Sequence, residues 1–225
     1  TFLVSRFARS KVTVALTGDG GDELFGGYNR HVLAPRVWNQ VRRVPRPVRG
    51  FVGRQLSRLP SGVWDGAAGL LAANAYFGAK IQKGLRVSPH APGFPDVYAS
   101  FLNEWSFEPS PVLGAGAGPA AWDLDVGQPA PGAVRMMYCD AVSYLPDDIL
   151  CKVDRASMAV ALETRVPFLD AGVAATAARI PLSMKIRDGK GKHILRQLLF
   201  REAPAELFDR PKAGFGIPVG HWIKG

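Results

Sequence analysis

The clearest strand signal in the chain is a short apolar run, KVTVALT, at residues 11–17. It is rich in β-branched residues, and nearly continuous apolar runs are typical of strands buried in parallel sheets. The run leads directly into GDGGDELFGGY, so a glycine loop and a helix start follow the strand. This order predicts an α/β fold, in which the last strand of a parallel sheet precedes a mostly helical body. Because one strand cannot satisfy its own backbone groups, we expect its partner strands before Thr1.

Most of the remaining chain has the pattern of helices punctuated by prolines. A segment rich in proline and glycine at 108–132 predicts a loop without structure of its own. No internal repeat interrupts this pattern, so we expect one domain over residues 1–225. The predicted helices span residues 31–59, 61–86, 94–105, 133–163, 170–180 and 192–202.

The composition is that of an ordinary globular protein, with 47% hydrophobic and 21% charged residues in 225. This content of apolar residues excludes an intrinsically disordered chain. No run of about 18 apolar residues occurs, so no transmembrane helix and no membrane partner are expected. Two cysteines, Cys139 and Cys151, cannot form a disulfide framework, and we expect reduced thiols in a cytoplasmic protein.

The net charge of +9 is concentrated in one stretch, because Arg30–Arg58 contains eight arginines and no acidic residue. A solvated helical face is the simplest interpretation, and binding of RNA or another polyanion is the alternative. The few aromatic residues within it, Trp38 and Phe51, count against a surface on which bases stack, so nucleic acid is not the expected partner. A structural piece without any activity is a third hypothesis.

The glycine-rich loop follows the predicted strand at its carboxyl end, where ligands of open α/β sheets bind. Glycine permits a tight turn and lets backbone N–H groups approach a phosphate. The three glycines concerned are Gly18, Gly20 and Gly21. The same loop carries acidic residues that would repel a bare phosphate, and that suit a hard cation such as Mg²⁺ lying between. These are Asp19, Asp22 and Glu23. An acidic turn in which Asp22 only caps the helix is the alternative.

Two further segments carry clustered charges. In residues 144–170, the spacing of Ile149, Val153, Ala156 and Val160 predicts one buried helical stripe, so nearby charges need partners or ligands. Residues 185–196 form a basic loop that opens a helix, and Lys190 and Lys192 could reach a polyphosphate. Structural ion pairs and a plain solvated loop are the respective alternatives.

Three motifs, in this order, resemble the synthetase region of glutamine-dependent asparagine synthetases. They are TGDGGDELFGGY, YLPDDILCKVDRASMAVALETRVPFLD, and GKHILRQLL followed by RPKAGFGIP. The resemblance covers about residues 11–223 and is weakest over 60–132, and β-lactam synthetases are similar at a greater distance. It implies an adenine nucleotide alpha hydrolase-like fold.

The resemblance also implies an activity. An ATP-dependent ligase of this type adenylates the side-chain carboxylate of L-aspartate with ATP and Mg²⁺. Ammonia, released from glutamine by an N-terminal glutaminase domain of the same chain, then gives L-asparagine, AMP and pyrophosphate. A related amidotransferase acting on another carboxylate, such as a sugar acid in polysaccharide biosynthesis, is the alternative within this class.

The resemblance assigns roles residue by residue. Asp22 becomes the Mg²⁺ ligand, and Asp19 the acid/base group that assists the attack of ammonia. Lys192, with Lys190 as the alternative, stabilises pyrophosphate and the transition state. Gly18, Gly20 and Gly21 lie against the nucleotide together with Asp22. The residues assigned to the aspartate pocket are Glu23, Asp154, Arg155, Glu163 and Arg165.

The sequence departs from the family pattern in two ways. Many asparagine synthetases have Glu where this chain has Asp19, so the base is one methylene shorter. The Ser-Gly-Gly-x-Asp-Ser pyrophosphate loop and the glutaminase cysteine do not occur, and we expect both before Thr1. The 225 residues alone are therefore expected to be inactive and to bind ATP poorly. The oligomeric state stays open, with a homodimer among the alternatives.

Overall fold

The computed structural model describes residues 1–57, 59, 93–102, 113–114, 132–209 and 222–223. By its internal contacts the chain divides into two compact units, Thr1–His193 and Ile194–Gly225. Three predictions lie outside the described residues: the helix at 61–86, nearly all of the loop at 108–132, and the RPKAGFGIP segment at 210–218.

A two-stranded parallel sheet is formed by β1 (Val14–Leu16) and β2 (Glu163–Arg165). Val14 is in register with Glu163, and Leu16 with Arg165. The predicted parallel strand is therefore confirmed, but the expectation that its partners all precede Thr1 is wrong. The sequence pattern instead predicts a helix up to residue 163, because three residues are too short to show a strand pattern.

β1 is more exposed than predicted. Leu16 is 76% exposed and Val14 is 45% exposed, whereas Ala15 between them is half-buried. In the part of the chain that the structure describes, β2 is the only strand paired with β1. The described residues therefore cover the apolar side chains of β1 only in part.

The first unit opens with α1 (Phe2–Arg9) and, after β1, continues with α2 (Gly21–Phe25), α3 (Asn29–Val41) and α4 (Arg46–Ser57). The sequence predicts a single helix over 31–59, but the helix is interrupted at 42–45. Pro45 and Pro47 explain the break, since proline disfavours a helical conformation in the residue before it. Pro47 itself lies in the first turn of α4, where its missing N–H costs nothing.

The predicted helix over 133–163 consists of three helices and then β2. Before this segment in sequence lies α5 (Phe94–Leu102), which confirms the first nine residues of the helix predicted at 94–105. Pro146 has no N–H to donate to the carbonyl four residues earlier, and the chain around it winds as a π-helix, with bonds to the fifth residue. The chain turns into β2 at Ala161, whose φ is +56°. The three helices are α6 (Gly132–Cys139), the π-helix (Asp140–Leu150) and α7 (Cys151–Met158).

The hydrophobic core lies between α3, α5 and α6. It contains Ala34, Tyr98, Met136 and Cys139, with two half-buried side chains of α5 packed against it. Burial raises the pKa of the Cys139 thiol to about 11, so this thiol is neutral and unreactive. Cys139 and Cys151 are both free, as expected of reduced thiols.

After β2 come a 3₁₀ turn (Pro167–Leu169), α8 (Ala171–Arg179), α9 (Leu182–Lys185) and α10 (His193–Glu202). The helices predicted at 170–180 and 192–202 are confirmed by α8 and α10. Asp170 caps α8 by accepting hydrogen bonds from the amides of Gly172 (2.8 Å) and Val173 (3.2 Å). The second unit holds most of α10 and all of α11 (Ala205–Phe208). None of the described helices is long and apolar enough to cross a membrane.

Candidate active site

The glycine-rich loop at residues 17–23, called the acidic loop from here on, begins where β1 ends. Packing leaves no room for a side chain at two of its three glycines. Gly20 has φ +82°, and a Cβ there would lie 2.8 Å from Leu169 Cδ2. A Cβ on Gly21 would lie 3.2 Å from the Phe168 ring, and the Gly21 amide donates to Gly18 O over 3.2 Å. A Cβ on Gly18, in contrast, would have no described atom within 4 Å. Gly18 is thus the glycine at which a ligand can approach the backbone.

The acidic loop and the basic loop meet through Asp22 and Lys192. Lys192 Nζ lies 3.2 Å from Asp22 Oδ2, with the two side chains 34% and 24% exposed. The backbone of Lys192 has φ +57°, and its amide donates to Phe25 O over 3.0 Å, at the end of α2. Two motifs that are distant in sequence therefore form one charged, accessible site beside the end of β1.

Two glycines allow this close approach. A Cβ on Gly191 would lie 2.1 Å from the backbone oxygen of Gly26. A Cβ on Gly27 would lie 1.9 Å from Asp22 Oδ1 and 2.4 Å from Lys192 Cε. Both positions must lack a side chain for the ion pair to form in this geometry. The sequence predictions named neither residue, although each belongs to a quoted motif.

Asp19 and Lys190 flank the Asp22–Lys192 pair in sequence. Asp19 is half-buried within the acidic loop. Lys190 lies on a tight hairpin, where its amide donates to Arg187 O over 2.8 Å and its carbonyl accepts from Arg187 N over 3.0 Å. The Lys190 side chain is exposed. Lys192, the first choice of the two candidate lysines, contacts Asp22 directly.

Glu23 faces the protein interior. It is 2% exposed, and its Oε1 accepts a hydrogen bond of 2.7 Å from Tyr28 Oη. Burial and this hydrogen bond both raise the pKa of Tyr28, so the phenol remains a donor. In this placement the carboxylate joins α2 to Tyr28, the residue before α3, and the assignment of Glu23 to the aspartate pocket stays a prediction.

A buried carboxylate, Asp140, is the centre of a network that the sequence predictions missed. Arg30 Nε donates to Oδ2 over 3.0 Å, and Tyr98 Oη donates to Oδ1 over 2.7 Å. His31 Nε2 lies 2.6 Å from Oδ2. Asp140 is fully buried, and a buried charge requires such partners. A single acidic residue within the apolar stretch AVRMMYCDAV was the available signal.

Arg30 connects this network to the acidic loop. Its guanidinium carbon lies 4.3 Å from the ring centroid of Tyr28 and 4.8 Å from that of Tyr144. Both distances suit cation–π contacts. The interpretation of the whole arginine stretch as a solvated face is therefore wrong for Arg30, whose charge is held inside the first unit.

The remaining predicted pocket residues lie at the surface. Glu163 and Arg165 form an ion pair on β2, and Arg165 O accepts a 2.8 Å hydrogen bond from the amide of Thr17. These two residues thus lie next to the acidic loop. Asp154 and Arg155 are exposed on α7. The expectation of a tightly buried stripe with enclosed charges is wrong, because the four stripe residues, Ile149, Val153, Ala156 and Val160, are only half-buried.

The described residues could supply only some of the ligands of a metal ion. Among the described residues, no group of three or more His, Cys, Asp or Glu side chains could hold one. Mg²⁺ usually binds one or two carboxylates together with phosphate oxygens and waters, so Asp22 could serve alone on the protein side. Thr17 Oγ1, at the end of β1, is buried and has no hydrogen-bond partner in the part of the chain that the structure describes. A polar atom is thus available at this end of the strand.

Comparisons with known proteins point to one family. The asparagine synthase family model matches residues 1–225. A putative asparagine synthetase [glutamine-hydrolyzing] of Mycobacterium bovis is 36% identical over 99% of the chain and 32% of that protein. Asparagine synthetase [glutamine-hydrolyzing] 1 of Bacillus subtilis is 30% identical over 99% of the chain and 33% of that protein.

The chain thus spans about a third of the length of these curated relatives. No solved structure matches it. The family match over the whole chain, together with a site built from the motifs that define the resemblance, identifies these 225 residues as a member of the asparagine synthase family.

Proposed function

We propose that the chain forms part of an ATP-dependent ligase that converts L-aspartate to L-asparagine with ammonia derived from glutamine. The contact of 3.2 Å between Asp22 and Lys192 at the end of β1 is the observation that carries this proposal. It unites a carboxylate suited to a metal with a cation suited to a polyphosphate. The names of the relatives, which are glutamine-hydrolysing asparagine synthetases, support the same reaction class.

The proposed reaction has two steps. An oxygen of the aspartate side chain attacks the α-phosphorus of ATP, so that pyrophosphate leaves and an acyl-adenylate forms. The nitrogen of ammonia then attacks the acyl carbon, and the bond to AMP breaks. Lys192 stabilises the negative charge that develops on the leaving pyrophosphate. Before ligands bind, its ion pair with Asp22 holds the ammonium group at the site.

Asp22 is the residue that would hold Mg²⁺, which when bound neutralises charge on the triphosphate. Asp19 accepts a proton from the attacking nitrogen, a role that requires a carboxylate within hydrogen-bond reach of it. Glu163 and Arg165 present opposite charges beside the acidic loop. Such a pair suits the ammonium and carboxylate groups of an amino acid substrate.

Exchange of labelled pyrophosphate into ATP tests the first step directly. The assay uses the complete protein that contains this chain, with aspartate compared against other carboxylic acids, including sugar acids. We expect exchange with aspartate, and its loss in Asp22→Asn and Lys192→Met. Asp188→Asn is a matched control, because its side chain is 92% exposed on the same loop as Lys192. Exchange with another acid but not with aspartate would exclude the asparagine reaction.

We further propose that a glutaminase domain of the same polypeptide supplies the ammonia in the cytoplasm. Free ammonium should then replace glutamine in the synthesis of asparagine by the complete protein. Activity with glutamine should be lost on alkylation of a glutaminase cysteine, while activity with ammonium persists. Equal loss of both activities would count against a separate source of ammonia.

A further inference from the structure

A cavity of about 360 Å³ lies at the turn between α3 and α4, and arginines form most of its wall. Arg42, Arg43, Arg46 and Arg49 line it together with Trp38 of α3. No acidic residue occurs anywhere between residues 30 and 59. A concave site lined by charges of one sign focuses the electrostatic potential, and here that potential is positive.

The cavity wall combines one buried arginine with exposed ones. Arg49 is 8% exposed, and its guanidinium carbon lies 5.2 Å from the ring centroid of Trp38, so packing holds it in the wall. Arg42 and Arg43 are exposed, and neither has an acidic partner among the described residues. Guanidinium groups without a carboxylate nearby favour an anion from solution.

We propose that this cavity binds a small anion with two or three linked phosphate groups. Each guanidinium can donate two parallel hydrogen bonds to phosphate oxygens, so the exposed Arg42 and Arg43 together can bind the oxygens of linked phosphate groups. The volume falls within the usual range of small-ligand sites, about 300 to 1,000 Å³. A single aromatic side chain in the wall is too few for a track on which successive bases stack.

The proposal goes beyond the proposed ligase activity and does not depend on it. None of the residues that line this cavity belongs to the acidic loop or to the Lys192 loop. Its test is a binding measurement, so it can succeed or fail independently of whether the chain forms part of an asparagine synthetase.

Calorimetric titration of the complete protein tests the proposal, with Lys192→Met as the background so that the candidate active site is disabled. The probes are tripolyphosphate, pyrophosphate and ATP without added metal, at low ionic strength. We expect one saturable site that weakens as salt is added. Arg43→Gln should weaken binding by roughly tenfold, since a hydrogen bond to a charged group is lost. Arg179→Gln, an exposed arginine of α8, should leave binding unchanged.

The probes also distinguish two sources of the phosphate groups. For the binding that Arg43→Gln weakens, equal affinity for ATP and tripolyphosphate assigns the site to free polyphosphate, whereas tighter binding of ATP assigns it to a nucleotide. Arg43→Lys keeps the positive charge but loses the paired N–H donors of the guanidinium group. This variant should therefore bind the anion more weakly than wild type and more tightly than Arg43→Gln. It also provides a second variant if Arg43→Gln fails to fold, as judged by circular dichroism.

Three results would overturn the proposal. The first is the absence of saturable binding by any of the three probes. The second is binding that is insensitive to Arg43→Gln in a folded protein. The third is tight binding of an RNA oligonucleotide under conditions in which tripolyphosphate neither binds nor competes, which would make the stretch a nucleic-acid surface instead.

Discussion

Arg30 and Asp140 form an ion pair inside the protein, although 110 residues separate them in sequence. The pair joins the start of α3 to the first residue of the π-helix. The rings of Tyr28 and Tyr144 lie against the Arg30 guanidinium, so one cation links the core to the tyrosine that holds Glu23. Stability of the first unit and the position of α2 are thus coupled.

Asp140→Asn should destabilise the protein by about 3 to 5 kcal/mol. The substitution preserves the size of the side chain but leaves the Arg30 cation buried without its counter-charge. Urea denaturation followed by circular dichroism measures the difference in the free energy of unfolding.

Asp188→Asn is the matched control, because the Asp188 side chain is 92% exposed and lies 4.0 Å from its neighbour Arg187. Its effect should stay below about 1 kcal/mol. Equal effects of the two substitutions would show that the buried network contributes no more than a surface ion pair.

Tyr28→Phe should lower the free energy of unfolding by about 1 to 3 kcal/mol, because Glu23 remains buried and loses a hydrogen-bond donor. Tyr138→Phe serves as the control, since that tyrosine is 40% exposed on α6. Glu23→Gln in the Tyr28→Phe background should recover part of the loss by removing the buried charge. A stable Tyr28→Phe protein would mean that other groups satisfy Glu23 equally well.

Gly27→Ala should separate Asp22 from Lys192, because the added methyl group would occupy the space of both side chains. We expect a loss of about 1 to 3 kcal/mol in stability, the usual cost of overpacking, and a fall in pyrophosphate exchange of more than roughly tenfold. The measurement is the exchange assay at a temperature where circular dichroism shows the variant to be folded. Undiminished exchange would show that the ion pair is not needed for the first step.

Gly18→Ala should leave stability unchanged to within about 0.5 kcal/mol, since no described atom lies within 4 Å of the added methyl group. Under the proposed function it should nevertheless weaken ATP binding, because the methyl group projects where a ligand would approach the backbone. Equilibrium dialysis of ATP against the complete protein checks this result. A loss of stability without a loss of binding would reverse the assignment of Gly18 to the ligand.

Lys185→Met should stabilise the protein at neutral pH. Lys185 is buried on α9, and burial lowers its pKa below the ordinary value of 10.5. The unfolded chain therefore binds more protons between the two pKa values, so wild-type stability rises with pH across that interval. The advantage of Lys185→Met should shrink as the pH of urea titrations is raised from neutral towards 10.5, whereas exposed Lys11→Met should show no such trend. A constant difference would contradict a titrating buried amine.

The sequence predicts well where local pattern decides the structure. The apolar run before the glycine loop becomes β1, and the segment capped by Asp170 becomes α8. The contact between Asp22 and Lys192 agrees with the resemblance, which assigns both residues to one site. The roles of these residues stay predictions until the exchange assay is done.

The sequence predicts poorly where distant residues decide. β2 is a strand because its backbone forms hydrogen bonds with Thr13 and Thr17. The sequence of β2 itself, ETR, does not indicate these partners. The π-helix begins at Asp140, whose partners Arg30 and Tyr98 lie 110 and 42 residues away in sequence. Likewise, Arg30 looks like one more member of a basic stretch until Asp140 is brought beside it. Burial of a charge is a property of the folded chain and not of its local composition.

Among the described residues β1 is paired along one edge only and its Leu16 is exposed, and this has a consequence for experimental work. Unpaired strand edges flanked by apolar side chains act as templates for association between molecules. Samples of the 225-residue chain should therefore oligomerise or precipitate as concentration rises, with Leu16 and Phe7 of α1 among the solvent-facing apolar groups. Spectroscopy on this chain by itself calls for dilute solutions or for a solubilising change such as Leu16→Lys.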